Sequence, residues 1–311
     1  MKYLNLIRWP NLLIMLLTLM MLRYRVIVPR LELAGIVSDT NTMLFILYAV
    51  ATLLIAAGGY IINDMMDIDV DRVNKPQKMI VTKSVSMAGA RNLYYGLTIT
   101  GSALGLSIGI LVNKLLLGLL FPVIAGALWF YSKRYKRMLL IGNLVISFVT
   151  ALMLVMVWAI EFFALSIQPQ LFAKALSAMP EITGFVMAYA LFAFLSTMLR
   201  EIIKDIEDMD GDAKGGCRTF PLVYGIIHAK NLSIALLTTL IVMIGFWQYI
   251  LYNQQYTQAF VFMFIALALS VALLIRLAFA NLSIHFSQAS LLAKLMMLAG
   301  LLSLLFVLPH A

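Results

Sequence analysis

The sequence predicts an all-α fold, a polytopic membrane bundle of about nine transmembrane helices. Three observations predict it. Of the 311 residues, 63% are hydrophobic and 12% are charged, against a charged share of roughly 25% in soluble globular domains. Mean hydropathy is +0.98. Uncharged stretches recur at lengths close to the ~20 residues that a helix needs to cross a hydrocarbon core about 30 Å thick. The same composition excludes disordered, collagen-like and disulfide-framework classes. A single cysteine, Cys217, excludes an internal disulfide and a multi-cysteine zinc site.

Taken in order, the first helix starts near Trp9 and runs to Leu22 or beyond. A cleaved signal peptide is the competing reading of this segment, but Arg23-Tyr24-Arg25 follows it instead of a small-residue cleavage pattern, so a retained helix is expected. Residues 40–63, 92–113, 115–132, 138–160 and 182–199 carry no charge and supply five more spans. The uncharged block 231–275 is too long for one crossing and divides at Asn253-Gln254-Gln255 into two. Residues 277–293 contain Asn281, His285 and Gln288 and read as a helix end and a connection. The last span runs from Leu295 towards Pro309. No linker or internal repeat separates these elements, so residues 1–311 read as a single domain. Trp9, Trp129, Trp158 and Trp247 fall near span ends and suit interfacial anchoring. Glu161 reads as a loop residue on the far face, where Pro169 and Pro180 bound a short segment.

The excess of 23 Lys+Arg over 14 Asp+Glu sets orientation in a membrane protein more often than it binds nucleic acid. With a cytoplasmic N-terminus, most basic residues fall on the cytoplasmic side; Arg23, Arg25, Arg30, Lys114 and Lys174 fall opposite. The expectation is an integral, multi-pass protein in contact with membrane lipids, with no nucleic acid and no obligatory protein partner.

Most of the carboxylates lie in two runs. Asp64, Asp67, Asp69 and Asp71 form the first; Glu201, Asp205, Glu207, Asp208, Asp210 and Asp212 form the second. Four predicted spans separate them, so both face the same side. Asn63, Asp67 and Asp71 are spaced by four, and so are Asp208 and Asp212, which aligns each set on one face of a continuing helix. Like charges at that spacing cost a helix roughly 0.2–0.5 kcal/mol per pair and are expensive beside hydrocarbon, so a compensating cation is expected. Carboxylate and amide oxygens are hard ligands suited to Mg²⁺, which takes one or two protein carboxylates and completes its shell with water and phosphate. Interleaved Arg72, Lys75, Lys78, Lys204 and Lys214 suit phosphate oxygens. Solvated loops that balance nearby lysines are the plainer reading of either run alone; two runs on one side favour a site. An EF-hand is excluded, because Arg72 stands where the loop requires Gly and Lys78 where it requires Glu. A transporter is disfavoured, because its ion sites sit near mid-membrane while these acids collect at span ends.

At these residues the chain resembles the UbiA-type membrane prenyltransferases. Asn63, Asp67 and Asp71 match the family's Asn-x-x-x-Asp-x-x-x-Asp signature, and Asp208 and Asp212 its Asp-x-x-x-Asp. Asp71-Arg72-Val73-Asn74-Lys75-Pro76-Gln77-Lys78 is similar to the family's Asp-Arg-x-Asn-x-Pro-x-Arg run. Arg8-Trp9-Pro10-Asn11 is similar to its Arg-Pro-x-Asn start, and the Arg-Thr-Phe-Pro of 218–221 also fits. Lys78 departs from the family's arginine and loses bidentate geometry; Met79 replaces the proline that follows.

The resemblance implies nine helices and Mg²⁺-dependent transfer of an isoprenyl group from an allylic isoprenyl diphosphate to a lipophilic acceptor. It implies that Asn63, Asp67, Asp71, Asp208 and Asp212 hold metal, the four aspartates being the catalytic set. Arg8, Asn11, Arg72, Lys78, Lys133 and Lys204 are implied diphosphate ligands, and Asp64 and Asp205 possible additional site residues. The run from Arg200 to Asp212 looks most like the branch that makes digeranylgeranylglyceryl phosphate, which moves a geranylgeranyl group onto geranylgeranylglyceryl phosphate. Lys133, Arg134, Lys136 and Arg137 then offer cations for an acceptor phosphate, or for anionic lipid. The alternative is an aromatic-acceptor prenyltransferase of quinone biosynthesis.

Overall fold

The structure, a computed structural model, describes residues 1–37, 41–74, 77 and 79–309. Among them, nine helices are long and apolar enough to cross a membrane: Trp9–Leu33, Thr42–Met66, Met87–Leu111, Leu115–Lys133, Ile141–Ser166, Met179–Glu207, Ile226–Asn253, Thr257–Ala278 and Ser283–Phe306. These are the first to ninth spans. Short helices Lys2–Leu6, Ile68–Asn74, Pro169–Ala175, Met209–Lys214 and Phe220–Tyr224 lie between or before them. The only β pairing among the described residues is an isolated bridge, Val81–Val85. The protein is an all-α polytopic membrane bundle, as expected from a chain whose backbone groups must be satisfied within each segment in the absence of water.

Several spans reach further than charge counting predicts. The sixth continues to Glu207, so Glu201, Lys204, Asp205 and Glu207 stand on a helix and not in a loop. The ninth begins at Ser283, which puts His285 and Gln288 on a span and not in a connection. Gln288 accepts a hydrogen bond from Arg276 of the eighth span, and the His285 ring accepts one from the Asn281 backbone N–H at 3.1 Å. In each case partners for the polar side chains let the helix run on. Trp158 and Trp247 are buried. Trp158 donates to Thr183 at 3.0 Å, and Trp247 meets Tyr189 edge-on. They pack the interior and do not anchor an interface.

The chain divides into two compact units, residues 1–135 with 152–186, and residues 136–151 with 187–311. In the first unit the second span packs most extensively on the third, and the third on the fourth. Small residues make this possible. A Cβ at Gly105 would meet the Phe121 ring at 2.1 Å, and one at Gly109 would lie 2.7 Å from the Gly118 Cα. In the second unit the seventh, eighth and ninth spans pack in chain order and share with the sixth a core of Leu199, Ile202, Leu237, Leu273, Phe286 and Ala289.

The first span passes through Arg23 instead of ending before it, and relaxes into a π-helical turn over Leu22–Ile27. Glu161, expected in a loop, lies inside the fifth span at 6% exposure, and Arg23 is at 2%. Arg23 Nη1 donates to Glu161 Oε2 at 2.6 Å, and Asn41 Nδ2 donates to Oε1 at 2.7 Å. Both carboxylate oxygens are thus met, and the Phe45 ring lies 5.0 Å from the Arg23 guanidinium. Arg30 pairs with Glu181 at 2.9 Å and stacks on Phe185 at 4.3 Å.

Removing one partner of a buried pair costs about 3–5 kcal/mol, because an uncompensated charge remains, whereas apolar replacement of both is near neutral. Glu161→Ala is therefore expected to lower the unfolding midpoint in detergent far more than Arg23→Met combined with Glu161→Leu. Equal losses for the two proteins would assign the effect to packing instead of charge.

Candidate active site

In the first unit, chemistry collects where the second span ends. The helix Thr42–Met66 is capped by Asp67, whose backbone sits at φ −98°, ψ 7°. The short helix Ile68–Asn74 then carries the chain past Asp71. The Asp67 N–H donates to the Asn63 carbonyl at 3.0 Å, and the Asp71 N–H to the Asp67 carbonyl at 2.8 Å. Helical hydrogen bonding therefore continues across the break and keeps Asn63, Asp67 and Asp71 in register. Asp67 is 4% exposed, and its Oδ2 accepts from Asn63 Nδ2 at 2.8 Å. The Asn63 amino group is thus turned towards Asp67.

The second unit repeats this construction. The helix Met179–Glu207 ends at Asp208, at φ −96°, ψ 7°, and the short helix Met209–Lys214 follows. The Asp208 N–H donates to the Lys204 carbonyl at 2.9 Å, and the Asp212 N–H to the Asp208 carbonyl at 3.1 Å. Asp212 is 8% exposed. Both aspartates that end a span adopt the sparsely populated bridge conformation near φ −90°, ψ 0°. Each therefore ends a long helix and opens a short one, with its carboxylate at the junction.

Three residues before each of these aspartates stands another acid, and here the two halves differ. Asp64 accepts from Arg8 Nη2 at 2.7 Å. Asp205 accepts from a neutral partner, Asn143 Nδ2, at 2.8 Å. Arg8 occupies the break between Lys2–Leu6 and the first span in a left-handed conformation, φ 52°, which costs a non-glycine residue roughly 1–2 kcal/mol. Its guanidinium lies 5.1 Å from the Tyr60 ring centroid. Burial works against the Arg8 charge, but the Asp64 carboxylate, helped by Tyr60 and Asp71, outweighs it and moves the guanidinium further above its usual range.

The structure thus brings together Arg8, Asn63, Asp64, Asp67 and Asp71 in one unit, and Lys204, Asp205, Asp208 and Asp212 in the other. Asn11 is half-buried in the first turn of the first span, its N–H bonded to the Arg8 carbonyl at 2.8 Å. Arg72 is exposed and pairs with the equally exposed Asp69 at 3.5 Å. Lys133 ends the fourth span with its ammonium 4.5 Å from the Trp129 ring centroid. Lys78 and Lys75 lie outside the described residues. Sequence reading missed Tyr60 and Asn143. Tyr60 shares the helical face of Asn63, Asp64 and Asp67 at steps of three and four; Asn143 is a lone amide at the start of an apolar run, a weaker signal.

The oxygen donors suit magnesium. Among the described residues no three of His, Cys, Asp and Glu stand close enough together to hold a metal ion by themselves.

The Arg8–Asp64 pair is only partly buried, with side chains 42% and 14% accessible, and partly solvated pairs contribute about 1 kcal/mol. Arg8→Gln should accordingly shift the unfolding midpoint little. A large loss of stability would show that the left-handed residue holds the first span in place.

The UbiA prenyltransferase family model matches residues 33–298. The digeranylgeranylglyceryl phosphate synthase of Methanoculleus marisnigri is 34% identical over 193 residues, which spans 61% of this chain and 61% of that relative's length. A solved structure described as "Structural and mechanistic insights into the biosynthesis of Digeranylgeranylglyceryl phosphate synthase in membranes" aligns with a TM-score of 0.63 at 23% identity over 98% of each chain. A UbiA homologue from Archaeoglobus fulgidus bound to GPP and Mg²⁺ aligns with a TM-score of 0.56 at 14% identity, over 98% of this chain and 99% of that one. At these identities the two structures establish a shared fold.

Proposed function

We propose, starting from a chain that belongs to the UbiA prenyltransferase family, that this integral multi-pass membrane protein moves an isoprenyl group from an allylic diphosphate onto a lipophilic acceptor. The observation that carries the reading is the construction found twice, a long span that ends on an aspartate in the bridge conformation with a second aspartate four residues on. Four spans stand between the two motifs, so both emerge on one side of the membrane. The preponderance of basic residues there supports a cytoplasmic placement of that side.

Asn63, Asp67, Asp71, Asp208 and Asp212 hold magnesium in this proposal. When bound, the metal supplies Lewis-acid stabilisation of the negative charge that grows on the diphosphate as it departs. Arg8, Asn11, Arg72, Lys78, Lys133 and Lys204 bind phosphate oxygens, and Asp64 keeps Arg8 oriented. The allylic C–O bond breaks with its electron pair leaving on the diphosphate. An acceptor hydroxyl oxygen then bonds the allylic carbon and gives its proton to the departed diphosphate. The apolar spans keep water from capturing the carbocation. Some of the chain's 20 methionines and its aromatic residues line the path of the isoprenyl tail.

For the acceptor we infer geranylgeranylglyceryl phosphate, with geranylgeranyl diphosphate as donor. Relatives of the M. marisnigri type support this reading, as does the run from Arg200 to Asp212. Residues 1–311 act as one catalytic domain in this view.

Purified protein given geranylgeranyl diphosphate and each acceptor should release pyrophosphate only with Mg²⁺ and form the ether product, identified by mass spectrometry. Asp67→Ala and Asp208→Ala should each reduce release by at least about 10²-fold, the scale on which lost electrostatic stabilisation of a transition state is felt. Intact release in either variant would defeat the catalytic assignment, and product on an aromatic ring alone would replace the acceptor.

A further inference from the structure

One charged cluster in the second unit lies outside both aspartate motifs. Glu201 stands on the sixth span, its side chain 13% accessible. Arg200 Nη1 donates to its Oε1 at 3.1 Å, and Lys204 Nζ reaches both of its oxygens at 3.4 Å. Lys136, from the turn Tyr135–Arg137, adds a third cation to the electrostatic surroundings of Glu201. The segment after the second motif closes on the same turn, with the Arg218 N–H donating to the Arg137 carbonyl at 2.9 Å. Two stretches of chain far apart in sequence therefore gather basic residues around one carboxylate. Asp205, one turn further along the span, is engaged by Asn143.

This arrangement has the chemistry of an anion subsite. A carboxylate shared among cations holds their side chains in place without using up their donors. Arg200 spends one amino group on Glu201 and retains the rest of a planar fork that matches phosphate oxygens. The Arg200 and Lys204 side chains are 29% and 33% accessible, so an anion can reach them. Lys204, one turn before Asp208, stands at the border with the diphosphate ligands.

We propose that Arg200 and Lys136, positioned by Glu201 and bordered by Lys204, bind the phosphomonoester of the acceptor. The inference rests on the ether-lipid reading above and goes beyond it by giving the acceptor's phosphate its own residues. The subsite explains how one enzyme binds two phosphorylated lipids without confusing them. The donor's diphosphate goes to the metal-binding aspartates, and the acceptor's monoester goes to a guanidinium and ammonium set that needs no metal.

The test compares wild type, Arg200→Gln and Arg200→Lys in zwitterionic nanodiscs, with thermal unfolding measured alongside. Initial rates are taken with geranylgeranylglyceryl phosphate, with geranylgeranylglycerol lacking the phosphate, and with varied geranylgeranyl diphosphate. Arg200→Gln should raise KM for the phosphorylated acceptor about tenfold or more, the scale of a lost hydrogen bond to a charged group. KM for the diphosphate and turnover of the phosphate-free acceptor should stay unchanged, and Arg200→Lys should recover part of the loss. A matching rise for both acceptors, a rise in KM for the diphosphate, or an unchanged acceptor KM overturns the subsite alone. A wild-type dependence on added phosphatidic acid that Arg200→Gln abolishes, with acceptor KM unchanged, reassigns the cluster to lipid headgroups. Failure of wild type to use the phosphorylated acceptor, with turnover of an aromatic one, removes the ether-lipid reading and the subsite with it.

Discussion

A charge surrounded by hydrocarbon must find a partner within the protein, and this requirement orders the molecule. Where partners exist, a helix can carry charge inward. Arg23 enters the first span because Glu161 of the fifth span meets it, and Glu161 is tolerated because Asn41 takes its other oxygen. Where the charges must remain available for chemistry they are held at the ends of spans, and the backbone changes conformation to present them. Asp67 and Asp208 mark that change in each unit with nearly the same dihedral angles.

The two acidic motifs are alike in backbone and different in electrostatics. The acid that precedes Asp67 is neutralised by the guanidinium of Arg8, while the acid that precedes Asp208 is held by the amide of Asn143. One half is therefore locked by a cation that the chain itself supplies. The other keeps a carboxylate with a neutral partner and sets its cations one turn earlier, around Glu201. A repeated backbone framework is given different electrostatics in the two units by a few side chains.

Sequence alone made much of this legible, for a definite reason. In a chain this poor in charge, carboxylates at steps of four stand out, so Asn63, Asp67, Asp71, Asp208 and Asp212 were readable as a set, and apolar run lengths located the spans. Boundaries were less readable. A run broken by an acid looks like a helix end, and so Glu161, Glu201 and Asp205 were placed in loops. Their partners lie on other helices, or on the next turn of the same helix, and pairing of that kind leaves no local mark. Asn143 shows the limit best. Nothing near it in sequence announces that it will face Asp205, 62 residues later. The internal repeat was legible only as the shared spacing of Asp64, Asp67 and Asp71 with that of Asp205, Asp208 and Asp212; the matching dihedrals and hydrogen bonds were not.

The glycine contact between the third and fourth spans also bears on traffic through the bilayer. A methylene group needs about 3.5–4.0 Å to each carbon neighbour, yet even a Cβ on Gly109 would lie only 2.7 Å from the opposing backbone. No isoprenyl tail can slide between these two helices. At this contact the protein is a sealed wall, and a lipid tail that enters the bundle must pass through some other gap between the spans.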